Sequence, residues 1–201
     1  MKNIIKNTLK QLHGLIYRLL LPILVRPPGM LYKGNYYTIP RLKIIHFLED
    51  WKTRVHGKVL DVGVGSWELP RRLLRDVCDY TSTDYYEHPN VDIVSDIYNL
   101  TQVFPENSFD FVICTDVIEH LAKPWLAVKE LRAVLKSGGT LLLSTPFNYH
   151  IHKTSVVTDY WRISEDGIRE LLMNEAGFHQ IDITPIGPPE FPFSHLVVAV
   201  K

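Results

Sequence analysis

Lys58-Val-Leu-Asp-Val-Gly-Val-Gly-Ser-Trp-Glu68 is the stretch that decides the fold. Val59, Leu60 and Val62 form the β-rich run of a buried strand. Gly63 and Gly65 then turn the chain. Ser66 stands where a helix is capped, and Leu69, Leu73 and Leu74 follow at helical spacing. Strand, glycine turn and helix together are the opening unit of a doubly wound α/β sheet, in which ligands sit over the carboxyl ends of the strands. The glycines remove the Cβ that would hold a ligand off the backbone. A dinucleotide fingerprint requires Gly-x-Gly-x-x-Gly. Here Glu68 occupies the third position, and a carboxylate is a poor neighbour for a pyrophosphate.

With Asp61 just before the first glycine, the turn reads Asp-x-Gly-x-Gly. This resembles motif I of the class I S-adenosylmethionine-dependent methyltransferases, which commonly has one more glycine at the place of Trp67. The resemblance implies S-adenosyl-L-methionine as cofactor. It also implies backbone contact from Gly63 and Gly65 to the methionyl part, with Asp61 orienting the loop or the amino group. An aromatic face, Trp67 or Tyr85, would lie near the cation. The bland alternative is a generic β-turn-α glycine pair.

The strand Tyr80 to Thr83 ends at Asp84, 19 residues past Gly65. An acid at that distance, at the tip of the second strand, is placed to accept from both ribose hydroxyls. The competing reading is a turn acid. Tyr85 follows and is placed to cover the adenine or ribose face. A third strand, Val91 to Val94, leads to Ser95-Asp96-Ile97, which resembles the family's adenine-contacting turn: Asp96 for the exocyclic amine, Ile97 for the ring. Phe104-Pro-Glu-Asn-Ser-Phe-Asp110 resembles the family's approach to its fourth strand, here Phe111 to Cys114.

Thr115-Asp-Val-Ile-Glu-His-Leu121 leaves the carboxyl end of that strand and is similar to the Glu-His-Leu stretch of the methyltransferase type 11 subgroup. Thr115 is expected at the cofactor. His120 either faces the methyl-transfer pocket or bonds a backbone carbonyl at a helix start. Pro124 opens the next helix, and Lys136-Ser-Gly-Gly139 stops it, with the lysine meeting the last carbonyls. The fifth strand is Thr140 to Ser144.

The loop after it is long and aperiodic, which favours function. It carries His150, His152, Asp159, Tyr160, Trp161 and Arg162, and its Asp-Tyr-Trp-Arg-Ile-Ser run resembles a subset of type 11 enzymes. His150 or His152, with His120 next, is the expected base, since histidine takes a proton near neutral pH. Trp161 is expected to pack, and Arg162 to tie down a helix end. No metal-ligand spacing stands out. Ser164 caps a further helix. Gln180 to Thr184 and His195 to Val200 then close the sheet as an antiparallel hairpin. A dehydrogenase domain would end on a parallel strand reached through a helix. The expected fold is therefore a Rossmann-like seven-stranded sheet, mostly parallel, spanning residues 40–201.

Residues 1–39 read as a basic amphipathic helix and linker. The chain has eight Lys or Arg and no acid before Glu49, although its formal net charge is zero. The remainder is therefore net acidic, which argues against a nucleic-acid partner. Cys78 and Cys114 read as reduced core thiols of a cytoplasmic protein. Ile4, Ile5, Leu9, Leu12, Ile16 and Leu19 share a helical face opposite Lys6, Lys10 and Arg18. The oily run is too short to span a bilayer. The helix either packs on its own domain or in a homodimer, or it lies on the anionic inner face of a membrane.

The acceptor implied by the type 11 likeness is a small molecule, glycan or lipid-linked hydroxyl. The competing class is a non-catalytic methyltransferase-like module docked through its N-terminal helix. Flotation with anionic vesicles separates the readings of that helix. Equal partitioning of the full chain and one lacking residues 1 to 30 matches packing, and loss of binding on truncation matches the membrane.

Overall fold

The structure, a computed structural model, describes residues 29–201, so the expected N-terminal helix lies outside the described residues. The first described element is one the sequence reading missed. Residues 29–38, read from the sequence as part of a linker, form a hairpin of β1 (Gly29–Tyr32) and β2 (Asn35–Thr38). Its two-residue turn, Lys33-Gly34, has φ of 47° and 82°. Two positive angles make the tight turn whose twist matches paired strands. The Tyr32 hydroxyl donates to the Glu49 carboxylate at 3.0 Å and the Lys33 ammonium donates at 2.8 Å, tying the hairpin to helix α1 (Ile39–Trp51). Pro40 sits in the first turn of that helix as expected.

The main sheet contains β3 (Lys58–Val62), β4 (Asp79–Asp84), β5 (Ile93–Val94), β6 (Phe109–Thr115), β7 (Leu135–Pro146), β8 (Gln180–Ile186) and β9 (Ser194–Val200). Their order is β5-β4-β3-β6-β7-β9-β8. Only β9 runs against the rest, paired antiparallel with both β7 and β8. The expected seven-stranded sheet with its C-terminal hairpin is what the chain forms.

Alternation along the strands sorts side chains onto two faces. Leu60, Val62, Val112, Cys114, Leu141 and Leu143 pack against helix Pro124–Val134 and the segment from Ile163 to Phe178. Val59, Phe111, Ile113 and Leu142 pack against Ile44 and Leu48 of α1 and against Leu74. Both faces are covered, so β3, β6 and β7 are apolar at most of their buried positions. Cys114 is buried and Cys78 half-buried, and both are free thiols.

Two local expectations fail for physical reasons. Ser66 caps nothing: Trp67 N–H donates to the Val64 carbonyl in a turn, and the helix starts only at Leu69–Leu74, with Pro70 in its first turn. Lys136 meets no helix carbonyl. The strand begins at Leu135, and the Lys136 ammonium donates to both Asp110 oxygens at 2.8 Å. The helix that Ser164 caps, Glu165–Arg169, widens into a π-helical turn over Glu170–Glu175. No helix among the described residues is long and apolar enough to cross a membrane.

Asp110 also accepts from the Lys58 backbone N–H at 2.8 Å, so one carboxylate ties the start of β3 to β6 and β7. The lysine beside it holds its carboxyl below the ordinary value of 3.8. A depressed carboxyl stabilises fully above the unfolded value, and its contribution is lost as pH falls through the lower, folded one. Asp110→Ala is expected to lower unfolding free energy in urea by about 1–3 kcal/mol at pH 7. The gap to the parent should close below about pH 4.

Candidate active site

The glycine turn at the end of β3 is open on one side. Gly63 has φ of +79°, and an added Cβ would come within 2.4 Å of the Val117 side chain. Gly65 has φ of +51°, yet a Cβ there would meet nothing within 4 Å. So Gly63 is required for packing, and Gly65 leaves free space over the strand end. Asp84, at the tip of β4, faces this turn. Its Oδ2 accepts from Gly65 N–H at 2.8 Å and its Oδ1 from Tyr86 N–H at 3.0 Å. It is a turn acid, and each oxygen keeps lone-pair capacity for a diol.

Asp96 follows β5 and accepts from Tyr98 N–H at 3.0 Å, capping a short 3₁₀ turn, while Ile97 is buried in the main core. Thr115 ends β6 and is 8% exposed. Gly63, Gly65, Asp84, Asp96 and Thr115 therefore share one rim, at the carboxyl ends of four neighbouring parallel strands. Tyr85 stands apart. Its ring is exposed and meets only Tyr86 edge-on among the described rings.

Asp61 lies beneath the turn. It is 1% exposed, and the Tyr80 hydroxyl donates to it at 2.5 Å. Burial pushes its carboxyl up to about 7, against the opposing pull of Tyr80 and Arg71. Alternation puts it on the α1 face of β3, so it supports the turn from below. The Trp67 face is not free for a cation, because the Arg41 guanidinium lies 4.2 Å from the ring centroid.

Beside the rim is a cavity of about 250 Å³. Thr38, Pro40 and Arg41 wall one side, and Asp116, His120, Tyr149, His150 and His152 the other. All three histidines singled out in the sequence come together here. Asp116 holds φ of 54°, uncommon for a residue with a side chain. Its N–H donates to the Ser144 carbonyl, and its carboxylate accepts from the Ser144 hydroxyl at 2.7 Å. His120 lines the cavity, and its Nδ1 bonds the Thr158 carbonyl at 2.7 Å. Burial lowers its pKa.

The histidine loop is organised by one ion pair. Arg162 clamps Asp159 through both carboxylate oxygens, at 2.5 and 2.7 Å. It also donates to the Tyr149 and His150 carbonyls. Asp159 in turn accepts from His152 N–H at 2.8 Å, and its carboxyl is held down at about 2, chiefly by Arg162. Arg162 thus ties the loop to itself and not to a helix end. Trp161 anchors the loop as expected, its indole N–H donating to the Leu121 carbonyl at 2.8 Å.

The residue that sequence reasoning missed is Glu119. It is fully buried behind His120 and His152, and neither of its oxygens has a hydrogen-bond partner among the described residues. The only signal was its place in the Glu-His-Leu stretch.

A family model described as a methyltransferase domain matches residues 35–180. The chain belongs to this S-adenosylmethionine-dependent methyltransferase family. Among curated proteins, a ubiquinone biosynthesis O-methyltransferase of Xanthomonas campestris pv. campestris is 28% identical over 102 residues. That alignment covers 44% of this chain and 43% of the relative, so the chain spans less than half the length of the curated relatives it matches. Among solved structures, a methyltransferase from Archaeoglobus fulgidus aligns with a TM-score of 0.63 at 15% identity, over 80% of this chain and 94% of that one. The Burkholderia thailandensis 1,6-didemethyltoxoflavin-N1-methyltransferase, solved with its substrate and S-adenosylhomocysteine, aligns with a TM-score of 0.62 at 17% identity. Those chains are covered over 78% here and 77% there, and at such identities the likeness concerns the fold. The methyltransferase rim fits the family's cofactor on this chain's own terms: the free space at Gly65 adjoins the Asp84 carboxylate.

Asp159→Asn keeps the shape of the side chain and removes the charge that Arg162 grips. Limited proteolysis within residues 147–163 is expected to accelerate, with unfolding free energy reduced by about 1–3 kcal/mol. Proteolysis at the parental rate would show that the ion pair does not hold the loop.

Proposed function

We propose that this chain is an S-adenosylmethionine-dependent O-methyltransferase acting on a small-molecule, glycan or lipid-linked hydroxyl. The observation that carries the reading is the adjacency of the Asp84–Gly65 rim and a cavity walled by His120, His150 and His152. When bound, S-adenosylmethionine supplies a methyl group on a positively charged sulfur. That methyl would be available for transfer to an acceptor oxygen, the sulfur keeping the bonding pair and the acceptor proton passing to the protein or solvent.

The chain's part is to hold, orient and deprotonate. Gly63 and Gly65 give the cofactor's methionyl part access to backbone, and the Asp84 carboxylate takes the ribose diol. Asp96 accepts from the adenine amine, with Thr115 at the end of β6 closing the floor. Alignment of the acceptor behind the methyl group contributes several kcal/mol to the barrier. Removal of the acceptor proton falls to the histidine cluster and adds about two to four orders of magnitude in rate.

The hydroxyl preference is supported by the family kinship with an O-methyltransferase. The type 11 affinity rests on the Glu-His-Leu and Asp-Tyr-Trp-Arg stretches. The reading of a non-catalytic module drew its force from Trp67. That ring packs at the edge of the α1-side core under Arg41, which favours the catalytic reading.

Calorimetry with S-adenosylmethionine is expected to give one site per chain, and Asp84→Ala to weaken it about tenfold or more. Unchanged affinity would remove Asp84 from the ribose role, and no heat would remove the activity. A labelled-methyl screen of cell extract, divided into lipid, glycan and protein fractions, identifies the acceptor. With that acceptor, His152→Ala is expected to lower kcat about a hundredfold while cofactor affinity holds.

A further inference from the structure

Glu119, His120 and His152 point ligand atoms at a common spot. One atom from each, a carboxylate oxygen and two ring nitrogens, lie within 4.8 Å of one another. The His120 Nε2 is 3.7 Å from Glu119 Oε1, and the His152 Nε2 is 3.9 Å from the same oxygen. These gaps are too long for hydrogen bonds. They are close to the spacing of about 3.3 Å that ligands of a tetrahedral zinc-sized ion keep at bond lengths of about 2.0–2.1 Å.

The far side of each histidine is already engaged. The His120 Nδ1–H donates to the Thr158 carbonyl at 2.7 Å. The His152 Nδ1 lies 3.3 Å from Asp159 Oδ2 and 3.3 Å from the His150 carbonyl, both acceptors. With Nδ1 carrying the proton, each Nε2 presents a lone pair to the centre of the cluster. This is how metal-binding histidines are oriented, by a carbonyl or carboxylate behind the ring. Asp159 is itself held by Arg162, so the second support is rigid.

Burial adds an independent observation. Glu119 is 0% exposed, and both of its oxygens lack a hydrogen-bond partner among the described residues. A buried polar group without a partner is costly, and a cation at the cluster would supply one. The fourth side of the cluster faces the cavity, since His120 and His152 line it. Three protein ligands and an open position are the composition of a catalytic zinc site.

We propose that Glu119, His120 and His152 bind one divalent transition-metal ion, zinc in the first instance, with its open side toward the acceptor cavity. Binding of the ion stands on this geometry alone. Its use, to make an acceptor hydroxyl more acidic so that the proton passes to water, would replace proton removal by His120 and His152 and rests on the function proposed above.

The test uses the full chain freed of metal with a chelator. Titration with zinc chloride by calorimetry is expected to show one ion per chain. Cobalt(II) should give the intense visible bands of a four-coordinate site. Glu119→Gln, His120→Ala and His152→Ala are each expected to weaken zinc at least about tenfold. S-adenosylmethionine binding, measured on the same samples, reports that each variant is folded and separates the two readings. Zinc binding without cofactor binding would keep the metal site and overturn the proposed activity. Cofactor binding without zinc, or zinc affinity unchanged in all three variants, would overturn the metal site and leave the activity standing.

Discussion

Strand β3 is hydrogen-bonded on both sides by parallel neighbours, β4 and β6. Parallel pairing obliges each connection to cross back over the sheet, so β3, β4, β5 and β6 deliver their carboxyl ends to the same rim. The four carboxyl ends at that rim carry, in chain order, a glycine turn, an aspartate, a second aspartate and a threonine. None of these residues needs a long-range instruction to find the others. The register of Asp61 with Ser82 and Ile113 brings them together once the sheet has formed.

The histidine side of the site depends on a different force. Residues 147–163 lie outside the sheet ladder, so their order comes from an ion pair and scattered backbone hydrogen bonds. Asp159 and Arg162 are the centre of that order, and the backbone N–H groups of Tyr160 and Trp161 both reach the Glu119 carbonyl. Through these contacts the loop closes over a carboxylate that water does not reach. Hydrogen bonding around the cluster is thus satisfied at its periphery and left open at its centre.

What was legible in the sequence follows from what is local. Val59 to Gly65 could be read because alternation and glycine conformation act within a few residues, and Asp84 because the distance across one crossover is nearly constant. The hairpin at residues 29–38 was overlooked although Lys33-Gly34 was its turn. Tyrosines on both faces of an exposed ribbon blur the alternation that marks a strand. Glu119 was illegible for another reason. Its neighbour His120 is adjacent in sequence, but His152 lies across a loop, and burial of a carboxylate has no signature in one dimension.

The hairpin has a mechanical bearing on the cavity. Its second strand runs straight into Thr38, Pro40 and Arg41, the residues that form one wall, and its first strand is the stem through which the preceding 28 residues join the domain. Tyr32 and Lys33 pin it at a single carboxylate, Glu49. A tug on the amino-terminal segment would therefore be felt first at that wall, and the grip of two side chains on one acid sets how much of that pull gets through.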